Sequence, residues 1–204
     1  MLTRQEALSW FEFKEPWELH CLNVASLSEK IANHIKGVDS QYAFVYGLVH
    51  DIGRITERGK SEPKSHPVEG YNYLMERGYK EEAMSCITHT FPSLKDITLV
   101  PGMCHPEWAP NKNIEEFQYD EIDTFIRAKL RDYTPSIYDT IVLISDLMSA
   151  GKETVAIRER LDKVYEKYGD KPNRKQVYEQ IDKRKCEVEA RIFPHKTIEE
   201  IVGL

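Results

Sequence analysis

No CxxC pair occurs in the chain: Cys21, Cys86, Cys104 and Cys186 are scattered, and at 204 residues the protein is too large to need disulfide staples. That distribution points to a reducing compartment, and a cytoplasmic protein is expected. A long apolar run is also missing. The longest, Ala43 to Val49, contains Gly47 and falls far short of the roughly 20 residues that span a bilayer. Nor is there a basic-then-apolar leader, because Arg4, Glu6, Glu12, Lys14 and Glu15 precede any long apolar stretch. Positive charge is in deficit: 28 Lys and Arg stand against 34 Asp and Glu, a formal net charge of -6. A role in coating nucleic acid or an anionic membrane is therefore excluded, while a small anionic substrate is not. Fixed-period repeats, low-complexity tracts and sustained strand alternation are absent too, which sets aside solenoids and sheets.

What remains is helical periodicity over a chain that is 41% hydrophobic, enough to bury a core. Val24, Leu27 and Ile31 form one face of a helix predicted from Trp17 to His34, and His20 lies on that face. A second helix is predicted from Ser40 to His50, with Gly53 as its stop, then a polar loop from Ile55 to Ser65. Pro67 suits the first turn of a helix running to about Met75, closed by Gly78. Another spans Glu81 to Thr90. Pro101, Gly102, Pro106 and Pro110 mark a loop or lid between about Leu94 and Asn113. Helices from Tyr119 to Leu130 and from Pro135 to Met148 follow, the second strongly apolar. Beyond Gly151 the composition turns slightly basic, and a helical hairpin broken near Gly169 to Pro172 is expected, with Val177, Ile181, Val188 and Ile192 as its buried stripe. The expected organisation is an all-α core over residues 1–151 and a helical extension over 152–204 packed on it, with the oligomeric state open.

The informative residues are polar groups at apolar positions, because a buried charge must be paired or bound to a metal. His20 sits on an inner helix face, His50 and Asp51 end an apolar helix, His66 opens one, His89 closes one, and Asp146 interrupts the run from Ile141 to Leu147. Imidazole nitrogen with carboxylate oxygen suits first-row transition metals, whereas all-oxygen sites suit calcium and magnesium.

This ordered series resembles the HD superfamily of metal-dependent helical proteins. It is carried by His20, His50 and Asp51 in "GLVHDIGRI", His66 in "SHPVEGYNYL", His89 in "CITHTF" and Asp146 in "IVLISDLMSAG", over about residues 17 to 151. The resemblance implies an HD-domain helical bundle holding two divalent transition metals, iron or manganese foremost, with a single metal as the alternative. His20, His50, Asp51 and Asp146 would hold the first metal, and Asp51 would bridge to a second held by His66 and His89. A bridging hydroxide would then attack a small phosphate ester or nucleotide.

Arg54, Lys60 and Lys64 give the loop after the HD pair a positive balance suited to a phosphate group, and His105, in the proline-rich loop, is the first candidate for the leaving-group acid. His34 reads as structural and His195 as surface. The family's regulatory phosphodiesterases often carry a GYP motif after their later histidines, but "HTFPSLKD" follows His89 here, so cyclic dinucleotide cleavage is not supported. The pattern is similar to small stand-alone HD phosphohydrolases. Two alternatives stand beside that expectation: an HD-type diiron oxygenase acting on a small phosphonate or polyol, and a metal-free binding module.

Overall fold

The computed structural model describes residues 1–57, 65–90, 116–168 and 174–204. Its helices are α1 (Arg4–Ser9), α2 (Pro16–Ala32), α3 (Ser40–Leu48), α4 (Arg54–Glu57), α5 (His66–Glu76), α6 (Lys80–Thr88), α7 (Glu116–Leu130), α8 (Ile137–Leu147), α9 (Ile157–Tyr168), α10 (Arg174–Glu189) and α11 (Ile198–Val202). A two-stranded antiparallel hairpin, β1 (Ser149–Ala150) and β2 (Glu153–Thr154), pairs Ser149 with Thr154 and Ala150 with Glu153. The fold is all-α apart from this hairpin. Among the described residues no helix is long and apolar enough to cross a membrane.

Helix α2 is the axis of the bundle. Pro16 occupies its first turn, and the buried Glu18 carboxylate accepts amide hydrogens from Glu12, Lys14 and Glu15, so the incoming chain is tied to the helix start. Cys21, Val24, Ala25, Leu27, Ser28, Ile31 and Ala32 are buried along it, at the three- and four-residue steps of one face. Helix α3 packs on that face and starts at Asp39, whose carboxylate accepts from the amides of Gln41 and Tyr42. Approach is close because position 47 has no side chain: a Cβ there would stand 2.9 Å from Ser28 Oγ and 3.1 Å from Ala25 Cα.

Two apolar clusters flank this pair. One joins α1 to α3, α5, α6 and α7 through Ala7, Phe44, Leu48, Ile52, Leu74, Ile87 and Ile126. The other brings Leu27 and Ile31 of α2 and Ile141 and Ile144 of α8 together with Ile157, Leu161, Tyr165, Val188, Ile192 and Ile198 from beyond the hairpin. Within the expected stripe of the last hairpin, Val188 and Ile192 are buried, Ile181 is partly so, and Val177 is half-exposed and lies outside that cluster. Ile192 lies past the end of α10, where it bridges Ile35 while the Phe193 amide donates to the His34 carbonyl.

Two expectations need correction. Gly53 does not stop the chain's helical winding, and the segment from Ile55 is not simply loop. The Arg54 amide bonds to the Asp51 carbonyl and the Ile55 amide to that of Ile52, so tight turns lead straight into α4. The short helices α1 and α11 rest on their N-cap threonines, Thr3 and Thr197, rather than on any apolar period long enough to read.

The tie between α3, α6 and α8 is a buried carboxylate. Asp139, in the first turn of α8, accepts at Oδ1 from the Tyr46 hydroxyl (2.8 Å) and the Thr88 hydroxyl (2.5 Å). At Oδ2 it accepts from the Tyr133 hydroxyl (2.8 Å) and from the Ser136 amide and hydroxyl (2.6 Å each). No cation pairs with it among the described residues. Hydroxyl and amide dipoles plus the helix N-terminus carry the charge instead. Burial, reinforced by this anion, pushes the Tyr46 and Tyr133 phenols up, so they remain donors. Replacing Asp139 with Ala would strand several buried donors, each costing roughly 1–3 kcal/mol. Equilibrium urea unfolding of Asp139→Ala should show a loss of at least about 3 kcal/mol. A loss below about 1 kcal/mol would mean the hydroxyls find other partners.

Candidate metal centre

Five elements deliver six side chains to one place. His20 comes from the first turns of α2, His50 and Asp51 from the turn that follows α3, His66 from the start of α5, His89 from the C-cap of α6, and Asp146 from the last turn of α8. His20 Nε2 lies 2.9 Å from Asp146 Oδ1, and His50 Nε2 lies 3.9 Å from both Asp146 Oδ1 and Asp51 Oδ1. On the other side of Asp51 Oδ1 stand His66 Nε2 at 3.1 Å and His89 Nε2 at 3.6 Å. The rings run in series, with centroids 5.2 Å apart for His20 and His50, 5.0 Å for His50 and His89, and 5.7 Å for His66 and His89. The donors fall into two triads, His20, His50 and Asp146, and Asp51, His66 and His89, with the atoms of each within 4.8 Å of one another.

Three of the rings are aimed by their outer nitrogens. His50 Nδ1 donates to the Gly47 carbonyl at 2.7 Å and His89 Nδ1 to the Ser85 carbonyl at 3.2 Å. A carbonyl can only accept, so the proton is assigned to Nδ1 and the Nε2 lone pair faces inward. For His20 the partner is Ser149 Oγ at 3.1 Å. That hydroxyl donates to the Gly151 carbonyl and accepts from Asn23 Nδ2, which leaves it a lone pair for His20. Ser149 and Asn23 were not anticipated from the sequence. The signal was a hydroxyl residue three positions after Asp146, too common to single out.

The residues fit a metal pair. Asp51 Oδ1 is buried and accepts no hydrogen bond, although three imidazole nitrogens surround it. Donors about 2.0–2.2 Å from a shared ion stand about 3.0–3.6 Å apart in tetrahedral or octahedral coordination, close to the spacing here. The other oxygen, Oδ2, is held at 2.6 Å by Arg54 Nε, so Oδ1 is the oxygen left facing the imidazoles.

A close backbone contact sets the second triad. A Cβ on Gly53 would lie 2.0 Å from the His66 carbonyl oxygen and 2.6 Å from the Gly70 amide nitrogen, and one on Gly70 would meet Cys86 Sγ at 2.7 Å. Two bare glycines thus let the start of α5 lie against the HD turn and against α6. Arg54 takes Asp51 as its immediate partner. Lys60, Lys64 and His105 lie outside the described residues. His34 donates from Nδ1 to the Lys30 carbonyl at the end of α2, and His195, at φ 49°, stands near Phe193, both away from the centre.

The protonation states follow from burial and charge. Burial lowers His50 and takes His89 down to about 4. Burial also acts to lower His20, but the hydrogen bond and charge of Asp146 outweigh it and the net shift is upward. Burial acts to raise both carboxylates, yet His66, His50 and Arg54 hold Asp51 well below the usual range, and the bond to His20 holds Asp146 at about 2. At neutral pH both carboxylates are charged and His50 and His89 are neutral, as ligands must be.

Two outcomes are expected. Gly53→Ala should push His66 away and lower metal content toward that of the first triad alone, read by elemental analysis. In the metal-free protein, proton NMR should find His20 titrating above 6.5 and His89 near 4. Because the folded His20 value is raised, its contribution to stability is full below about 6.5 and is lost as pH rises through the folded value. The His89 contribution has the opposite sign and is lost as pH falls from about 6.5 toward about 4. A metal must displace the His20 proton, so competitive metal titrations should show affinity falling as pH drops through that raised value. Affinity independent of pH there would remove His20 from the ligand set.

Comparison with known proteins gives one positive finding: the family model described as HD domain matches residues 18–151, more than half of the chain. No curated protein and no solved structure matched. The match runs from α2 to the hairpin after α8 and takes in all six donors. On that extent of agreement the chain belongs to the HD domain family, whose members bind divalent metals and are in general hydrolases.

Proposed function

We propose that the protein is a metal-dependent phosphohydrolase acting on a small phosphate ester or nucleotide, with two divalent transition metals, iron or manganese, at the two triads. The observation that carries this reading is Asp51 Oδ1, a buried anionic atom of the second triad that accepts no hydrogen bond and lies 3.9 Å from His50 Nε2 of the first. When bound, such metals supply Lewis acidity, lowering the pKa of water and drawing charge from the phosphoryl oxygens. The residues do the rest. His50 and Asp51, 1% and 5% exposed, form the dry floor, while Asp146 and His66, at 25% and 28%, mark the side from which a substrate enters. Low dielectric at the floor strengthens the hold of both carboxylates on cationic partners. Arg54 fixes the outer oxygen of Asp51 and keeps the inner one turned toward the imidazoles. Lys60 and Lys64, a few residues along the chain from Arg54, would neutralise the incoming phosphate, and His105 would protonate the leaving group. The protein would work in the cytoplasm, in keeping with scattered cysteines that form no CxxC pair.

Two measurements test this. Asp51→Ala should keep its helical circular dichroism yet lose bound metal and phosphatase turnover by more than about 100-fold, since even residues behind the ligands are worth about 10–100-fold. Full metal content and turnover in that variant would refute the assignment. Turnover of a phosphate ester panel should be the same under argon as in air, because hydrolysis consumes no oxygen. Oxygen-dependent consumption of a phosphonate or polyol, with no phosphate released from the esters, would assign the protein to the oxygenases instead.

A further inference from the structure

One short segment grips both ring nitrogens of His20. Asp146, in the last turn of α8, places Oδ1 2.9 Å from Nε2, and Ser149, at the start of the β1–β2 hairpin, places Oγ 3.1 Å from Nδ1. The outer nitrogens of His50 and His89 face the Gly47 and Ser85 carbonyls, which can only accept, so the backbone alone assigns their hydrogens to Nδ1. His20 differs. Its outer partner is a hydroxyl, able to donate as well as accept, and a carboxylate stands at its inner nitrogen. Two arrangements of the neutral ring therefore compete. In one, Nδ1–H is donated to Ser149 and Nε2 keeps its lone pair. In the other, Nε2–H is donated to Asp146, which closes the nitrogen that a metal would need.

The neighbours of the hydroxyl decide between them. Ser149 is buried, and its Oγ donates to the Gly151 carbonyl at 3.1 Å and accepts from Asn23 Nδ2 at 2.9 Å. Asn23, one turn along α2 from His20, also donates from Nδ2 to the Glu153 carbonyl at 3.1 Å. That second bond fixes which end of the amide is the nitrogen, because a carbonyl has no hydrogen to give. With its one hydrogen directed at Gly151 and one lone pair taken by Asn23, the hydroxyl presents only a lone pair to His20. For the ring to carry its hydrogen on Nε2, the hydroxyl would have to abandon Gly151 or set its lone pair against that of Nδ1. Both cost free energy in a buried place.

We propose that Asn23 and Ser149 are positioning residues of the metal centre: together they hold the hydrogen of His20 on Nδ1 and so keep Nε2 as a ligand atom rather than a donor to Asp146. Asn23 acts only through Ser149. The inference rests on the metal-centre part of the phosphohydrolase reading and is independent of the substrate.

The test uses the full-length protein with zinc as a diamagnetic probe, affinity being read by chelator competition and the His20 ring by nitrogen-15 NMR. In the zinc-loaded wild type, His20 should be bound through Nε2 and carry a slowly exchanging hydrogen on Nδ1. Ser149→Ala should weaken one of the two zinc-binding steps about 10- to 100-fold, the range for groups that orient a ligand, and should speed exchange of that hydrogen. Asn23→Leu should do the same to a smaller degree. The double variant should bind zinc no more weakly than Ser149→Ala, because Asn23 has nothing to orient once the hydroxyl is gone. Ser26→Ala, which removes a hydroxyl bonded to the Leu22 carbonyl on the same helix, should bind as the wild type does. Zinc on Nδ1 of His20 in the wild type, a result that needs no substitution, would overturn the inference, as would unchanged affinity in Ser149→Ala. Additive losses in the double variant would also overturn it, by assigning Asn23 to the upkeep of the hairpin. Each of these leaves the metal centre standing, whereas a wild type that binds no zinc would overturn both the inference and the reading beneath it.

Discussion

Asp51 Oδ1 is an anionic atom with three imidazole nitrogens within 3.9 Å and no hydrogen bond from any of them. Leaving such an atom unsatisfied in a dry interior costs several kcal/mol, and around it the fold has gathered donors rather than hydrogen-bonding groups. Two carboxylates that face one set of imidazoles call for positive charge between them. A bound divalent metal would supply it, and the burial that makes the centre costly without metal is what would hold such a cation tightly.

The rest of the bundle can be understood as scaffolding for that atom. Gly53 and Gly70 bring α5 against the HD turn at distances that no side chain would permit. The Gly47 and Ser85 carbonyls and the Ser149 hydroxyl fix the outward faces of three rings. Asp139 joins the end of α6, next to His89, to the start of α8, two turns before Asp146. The carbonyls act on outer nitrogens and the glycines on the backbone, so His50 Nε2 and His89 Nε2 keep their lone pairs turned inward. The same logic explains why Asp139 is hydrogen-bonded throughout and Asp51 Oδ1 is not: one anion is a tie between helices, the other a place for a ligand.

Much of this was legible in the sequence. The long helices follow from their apolar periods, and the six donors stood out as polar residues at positions where a helix should be apolar. The resemblance to HD proteins rested on those same residues, and the family match now covers them. What escaped notice lacks periodicity. Helix α1 is six residues long, and the hairpin strands are two residues each, too short for either period to register. Ser149 and Asn23 acquire meaning only when the hairpin folds back on α2, a contact between residues more than a hundred positions apart. The charge of Arg54 was visible in the sequence, and its engagement with Asp51 was not. Asp139 was passed over because a carboxylate in the first turn of a helix has an ordinary reading as a cap, and nothing in the sequence shows two tyrosines and a threonine converging on it.

The proposed function requires that the two triads hold two ions sharing Asp51. Anomalous diffraction from crystals loaded with manganese or iron tests it most directly. Two peaks per chain are expected, roughly 3.5–4 Å apart as in other paired-metal sites, one against His20, His50 and Asp146, the other against His66 and His89, with Asp51 reaching both. A single peak in a fully loaded crystal, with the rings of His66 and His89 turned to other partners, would contradict it.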